Sequence, residues 1–319
     1  MLFDGTPRLD GQLPDIRTMT EATAILLDQA IVDVDWATPP AHVRRVAFEA
    51  PSGTLAGLSA GDVNAPRIVL VPGVTGSKED FALMVPLLVG AGYRVDAYDL
   101  AGQYESAGAG PERLDPPRER YDHELFVEDL LAVLAVGRTP AHVLGYSFAG
   151  TVAQLAAVRA PQLFASLTLL STPPRVGQTF AGTKSILGPL SRFTTGKQGG
   201  ALMIWGLRRN LNKVPEHRYR FVMSRLPSTR RDSVSDIVGL MRRTPDVRAE
   251  IAALPIPKLV VFGLHDLWPS KTHRAYAAAI GAEAIEYASG HSPCEDAPHQ
   301  LCRDFVRVIE APYRAAFGH

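Results

Sequence analysis

The sequence predicts an α/β protein: a mostly parallel sheet flanked by helices, with a helical insertion late in the chain. Three observations carry that prediction. Short apolar runs suited to buried strands alternate with stretches of helical periodicity along most of the 319 residues. A serine, an aspartate and a histidine, in that order, each stand just past the carboxyl end of such a run, the edge at which open parallel sheets gather their chemistry. Finally, about 80 residues separate the run at 166–170 from the one at 258–262, far more than a direct crossover between parallel strands needs.

Residues 1–40 read as a helical extension. Ala22, Ile25, Leu26, Ala30 and Ile31 recur at helical spacing within 19–34, and Thr20 is a suitable cap. This helix packs either on its own core or on a second copy of the chain, and the sequence leaves both open. Strands follow at 43–49, 54–59 and 67–71, then an amphipathic helix over 78–91 and a strand at 93–98. A helix over 121–137 precedes the apolar run at 141–144, another over 151–159 follows it, and the next strand is expected at 166–170. Residues 175–253 read as an inserted cap, because 201–211, 217–226 and 233–242 have helical periodicity and are separated by Pro215, Pro227 and Pro245. The core, 41–174 and 254–319, resumes with a strand at 258–262, a helix at 270–279 and an alternating strand at 283–287.

The segment Leu144-Gly145-Tyr146-Ser147-Phe148-Ala149-Gly150 says most about function. A strand that passes through a small–X–Ser–X–small turn straight into a helix lifts one hydroxyl onto the tip of a tight bend, where it can act as a nucleophile. Gly145 and Ala149 are small because bulk would block the bend, and Gly150 lets the helix lie close to its strand. Downstream, Gly263-Leu264-His265-Asp266 ends one strand, and Gly290-His291-Ser292-Pro293 follows the next. Plainer readings exist for each: a turn serine, a helix cap at Asp266 before 270–279, a loop histidine. Their order and flanks favour the chemical reading. His265, His273 and His299 are taken as surface residues. Thr75 and Ser77 are taken as helix caps, and Asp99 as a structural turn residue.

With those residues in view, the chain resembles the α/β-hydrolase superfamily, in its lipase, esterase and thioesterase branch, from about Val43 to Ala311. The resemblance also covers Val69-Leu70-Val71-Pro72-Gly73-Val74-Thr75-Gly76-Ser77, Tyr98-Asp99-Leu100-Ala101-Gly102 and Asp266-Leu267-Trp268-Pro269. It implies an eight-stranded sheet, a triad of Ser147, Asp266 and His291, and an oxyanion hole formed by the backbone amides of Val74 and Phe148. The side chains of Val74 and Phe148, with Tyr146 and Trp268, would then wall the substrate pocket. Two departures stand out. Pro72-Gly73 replaces the usual His-Gly, and Gly102-Gln103-Tyr104-Glu105-Ser106 replaces the usual Gly-His-Gly-x-Ser.

Composition sets outer limits. With 33 basic and 33 acidic residues the formal charge is zero, which gives no overall sign of nucleic-acid binding. The charge is uneven, however. Fifteen Lys/Arg against five acids lie between Arg175 and Glu250, either attracting an anionic substrate, carrier or headgroup or forming the solvated outer face of the inserted helices, paired in part with acids of the core; the second reading is preferred. The start lacks a basic, apolar leader, and no apolar run is long enough to cross a bilayer. Cys294 and Cys302 fall eight residues apart on what reads as one helix, too far for a disulfide, so a cytoplasmic protein with reduced thiols is expected. No cluster has metal-ligand spacing and no phosphate loop or dinucleotide fingerprint is present, so no metal or organic cofactor is expected.

A serine nucleophile, unlike a carboxylate, points to acyl transfer to water. The leading expectation is a serine hydrolase that cleaves a carboxylic ester or thioester of a small to medium, largely apolar acyl group. The same parts suit carbon–carbon bond hydrolysis or cofactor-free haloperoxidase chemistry. A reading of another class is a non-catalytic protein of the same fold that binds a ligand.

Overall fold

The computed structural model describes residues 15–40, 42–180, 195–211 and 213–317, with the backbone alone for 312–317. The first 14 residues of the expected extension and residues 181–194 of the expected cap lie outside the described residues.

The elements run α1 (Glu21–Gln29), β1 (Arg44–Ala50), β2 (Gly53–Ala60), β3 (Arg67–Val71), α2 (Met84–Gly90), β4 (Arg94–Tyr98) and α3 (His123–Ala135). Next come β5 (Ala141–Tyr146), α4 (Phe148–Arg159) and β6 (Phe164–Leu170). Helices α5 (Gly196–Arg208), α6 (Glu216–Arg225), α7 (Arg231–Leu240) and α8 (Arg248–Ala253) form the inserted helical region. The chain closes with β7 (Lys258–Gly263), α9 (Ser270–Ala279), β8 (Glu283–Tyr287), α10 (Pro293–Asp296) and α11 (Pro298–Phe317).

The eight strands form one sheet in the order β1-β2-β4-β3-β5-β6-β7-β8. Only β2 runs against its neighbours; every other pairing is parallel. A parallel sheet must be covered on both faces, and the central strands β3 and β5 are buried along their whole length. One face packs on α3, α4 and α9 through residues such as Leu125, Val152 and Tyr276. The other packs on α2 and α11 through Leu88, Leu301 and Phe305. The carboxyl ends of β5, β7 and β8 therefore open toward one edge, where the serine, aspartate and histidine stand.

Two expected helices are each divided by a proline. The stretch 78–91 is a 3₁₀ turn at Lys78–Phe81 followed by α2, because Pro86 lacks an amide hydrogen and its ring would strike the Ala82 carbonyl of a continuous helix. In the first turn of α2 it is tolerated. The cysteines likewise lie on two helices rather than one: Cys294 on α10 and Cys302 on α11, with Pro298 starting the second. Both are free and buried.

Helix α1 begins at its Thr20 cap, whose hydroxyl accepts from the Thr23 amide, and docks on α11 of its own chain. Asp28 fixes the contact by accepting from the amides of His299 (2.8 Å) and Gln300 (3.1 Å), the unsatisfied donors at the start of α11.

Part of the basic excess of the inserted helices is spent inward. Arg218 and Arg225 of α6 are almost fully buried against Asp80 and Glu295, and Arg230 pairs with Glu112 and Asp232. Among the described residues no helix is long and apolar enough to cross a membrane.

Candidate active site

Ser147 joins β5 to α4 with φ 54° and ψ −121°, a region that costs a non-glycine residue about 1–3 kcal/mol and persists only when its surroundings enforce it. They do so here. The Ser147 amide donates to the Leu170 carbonyl at 2.8 Å, and its carbonyl accepts from Gly150 at 3.0 Å. A Cβ at Gly145 would sit 2.7 Å from the Gly150 Cα, so the helix lies on its own strand as the small residues required.

The loop after β7 carries Asp266 and the loop after β8 carries His291. Backbone bonds lock these loops together: Leu264 donates to Tyr287 at 2.8 Å and His265 to Ser289 at 3.0 Å. Three distant side chains thereby meet. His291 Nε2 lies 3.2 Å from Ser147 Oγ, and His291 Nδ1 lies 2.6 Å from Asp266 Oδ1. The Asp266 side chain is fully buried, whereas that of His291 is 24 % exposed. Burial alone would raise the Asp266 carboxyl, but the facing imidazoles of His291 and His273 bring it down to about 2. It is therefore a carboxylate at any working pH, able to fix an imidazole's tautomer and stabilise its cation.

Beside the serine runs the loop after β3. Gly73 lies so close that a Cβ there would stand 2.9 Å from Ser147 Cβ. The amides of Val74 and Phe148 donate to no acceptor among the described residues, which leaves both free for an incoming oxyanion. Gln103, from the turn that departs from the family pattern, holds this loop. Its Oε1 accepts from the Thr75 amide at 2.9 Å and its Nε2 donates to Ser233 of α7 at 2.7 Å. A glutamine spans that distance with both an acceptor and a donor, so the departure is a brace between loop and inserted helix.

The side chains expected to wall a pocket divide. Val74 is partly exposed beside the serine. Phe148 is fully buried, edge-on to Phe126 at 5.3 Å and stacked on His123, because the first residue of α4 points back into the core; it is not a wall. Trp268 is also fully buried. Its Nε1 donates to the Thr179 carbonyl at 2.7 Å and its ring stands 5.9 Å from that of His291, so it supports the histidine from behind. Tyr146 packs 5.5 Å from the same ring and shares a hydrogen bond with Ser292 at 2.8 Å.

The remaining assignments divide. Asp266 does not cap α9, since Pro269 occupies that position. Ser77 caps the 3₁₀ turn, with its amide bonded to Asp80. Asp99 accepts from the amide and the ammonium of Lys78 at 2.8 and 2.9 Å, a structural role. His265 is exposed, but His273 is fully buried beside Asp266 and is no surface residue. Its signal lay in the helix spacing it shares with Tyr276, Ala277 and Ile280. Among the described residues no group of three or more His, Cys, Asp or Glu is placed to hold a metal ion.

Comparison with known proteins follows the same line. A family model described as alpha/beta hydrolase family matches residues 68–304. Among solved structures, a hydrolase from Pseudomonas aeruginosa PA01 is 23% identical, with 83% of this chain and 98% of that one covered and a TM-score of 0.65. A bromoperoxidase from Bacillus anthracis is 16% identical, covering 84% of this chain and 100% of that one, with a TM-score of 0.67. A thioesterase domain from the curacin biosynthetic pathway is 17% identical over 83% of this chain and 99% of its own, with a TM-score of 0.61. At these identities the likeness to solved structures is one of fold.

Proposed function

The chain belongs to the α/β hydrolase family, and on that premise we propose that it is a serine hydrolase cleaving a carboxylic ester or thioester of a small to medium, largely apolar acyl group. The observation that carries the reading is the unbroken polar line from Ser147 Oγ through His291 to Asp266. It starts from a serine in a strained backbone position with two unengaged amides beside it.

The chemistry follows from those positions. Ser147 Oγ attacks the acyl carbon while its proton passes to His291 Nε2. An imidazole suits this exchange because it titrates near neutral pH. Asp266 holds the Nδ1 hydrogen and stabilises the imidazolium. The oxyanion is met by the Val74 and Phe148 amides, backbone donors that need no rearrangement as charge develops. Collapse breaks the bond to the leaving alcohol or thiol, which takes the proton from His291. Water then attacks the acyl-enzyme with His291 as base, and its proton returns to Ser147 as the acid departs. A cap over residues 175–253 would exclude bulk water from the acyl group.

A panel of nitrophenyl esters and acyl thioesters of graded chain length tests the proposal. Wild type should hydrolyse at least one, and Ser147→Ala should lower kcat by roughly 10⁴–10⁶-fold. Near-wild-type activity in Ser147→Ala would contradict it.

A further inference from the structure

We propose that His273 is a positioning residue for Asp266: a second imidazole that holds one carboxylate oxygen while His291 takes the other. The inference rests on the serine-hydrolase reading and adds a residue to the same site. Asp266 Oδ1 faces His291 Nδ1 at 2.6 Å. Oδ2 faces His273 Nε2 at 3.2 Å, and both of these side chains are fully buried. The contact is looser than a linear hydrogen bond. It falls short of hydrogen-bond geometry, and Oδ2 and both ring nitrogens of His273 have no hydrogen-bond partner among the described residues.

Neighbouring rings fix the imidazole plane. His273 is stacked on Phe262 at 4.5 Å with 8° between the planes and stands edge-on to Trp268 at 6.2 Å. A polar group buried without a partner costs about 1–3 kcal/mol. Among the described residues neither ring nitrogen is engaged elsewhere, and a slight turn of the ring toward the carboxylate oxygen at 3.2 Å would satisfy both groups, which assigns the ring hydrogen to Nε2. Chain geometry favours the arrangement: Asp266 precedes α9 and His273 lies in the first turn of that helix.

The groups facing the pair come from several elements. His291 and Asp296, which accepts from the Gly290 amide at 3.2 Å, lie past β8. Tyr146 of β5 stands against the His291 ring. His273 is the one that reaches Oδ2. A donor there draws charge from a carboxylate whose full charge would otherwise favour the His291 imidazolium. Removing it strengthens that attraction, so a higher pH is needed to free the base. The sign is the same whether His273 is neutral or protonated.

The test is the pH profile of kcat/KM on nitrophenyl butyrate for wild type, His273→Phe and His273→Gln, with Ser147→Ala alongside. Phenylalanine keeps the ring packing without the donor; glutamine restores a donor at a similar reach. His273→Phe should move the acid limb upward by about 0.5–1 pH unit, a three- to tenfold loss at the acid end, with the alkaline plateau within about threefold of wild type. His273→Gln should keep the wild-type limb. An unmoved or lowered limb in folded His273→Phe, or equal loss at every pH, overturns the inference. Imidazole ¹⁵N spectra of the wild-type protein give an answer that does not depend on a variant folding. A His273 Nε2 bearing hydrogen supports the assignment, and a hydrogen on Nδ1 alone overturns it. If Ser147→Ala stays active the hydrolase reading fails; if it is dead and the His273→Phe limb stands still, this inference alone fails.

Discussion

Replacing Arg218 with methionine should produce the largest single loss of stability among the charged residues of the inserted helices. The Arg218 guanidinium bonds Glu295 through Nε (2.8 Å) and Nη2 (2.6 Å), and Asp80 through Nη2 (2.7 Å). Its side chain is 4% exposed and that of Glu295 11%. Asp80 retains Arg225 at 2.6 Å, but Glu295 has no second ion pair among the described residues. Methionine keeps apolar contact with Trp36, over which the guanidinium now lies at 4.6 Å, so the change isolates the lost charge. Removing one partner of a buried pair costs about 3–5 kcal/mol. At about 2–4 °C per kcal/mol for a domain of this class, the melting point should fall by about 10 °C. Burial already raises the Glu295 carboxyl, and without Arg218 it rises further. The deficit should therefore shrink on going from pH 7.5 to pH 5, as the stranded acid takes up a proton. Adding Glu295→Gln should recover most of the loss, which a double-mutant cycle by thermal and urea denaturation reads directly. If the single variant lies within about 1 kcal/mol of wild type, or the double variant is no more stable than the single, the reasoning is refuted.

Three further outcomes follow from the same geometry. Gly73→Ala puts a methyl 2.9 Å from Ser147 Cβ and should displace the Val74 loop enough to cost about 100-fold in kcat with little change in melting point; unchanged turnover contradicts the close approach. Gln103→Leu strands the Thr75 amide, so stability should drop by about 1–3 kcal/mol and kcat should fall with it, whereas unaffected kinetics would show the brace to be dispensable. Burial raises the Asp129 carboxyl to about 7 despite two hydrogen bonds from Ser52. The folded state thus keeps a proton that the unfolded chain releases near pH 4, and stability declines as pH rises from about 4 to 7. Asp129→Asn should flatten that decline when melting points at pH 5 and pH 8 are compared, and a slope as steep as that of wild type would contradict it.

What could be read from the residues was local or periodic. Strand β3 at 67–71, strand β8 at 283–287 and helix α9 at 270–279 end where expected because turns and a proline bound them. The order of Ser147, Asp266 and His291 was legible because each follows a strand. The rest depends on packing between distant segments. Arg218 and Asp80 lie 138 residues apart, and spacing along a chain holds no trace of such a pair. Pairing of this kind also absorbs cations that sequence alone counts as surface charge. Phe148 follows the serine at the start of α4, yet its side chain turns inward, since the bend fixes a main-chain path and leaves side-chain direction to the core. The split at Pro86 and the burial of His273 were readable in principle, from helix chemistry and from the apolar stripe of α9.

Covalent capture tests the central claim most directly. A fluorophosphonate probe applied to the folded protein, followed by peptide mass spectrometry, should place the adduct on Ser147, and His291→Ala should slow its formation by several orders of magnitude. A folded protein that stays unlabelled, or one modified at another residue, would contradict the account.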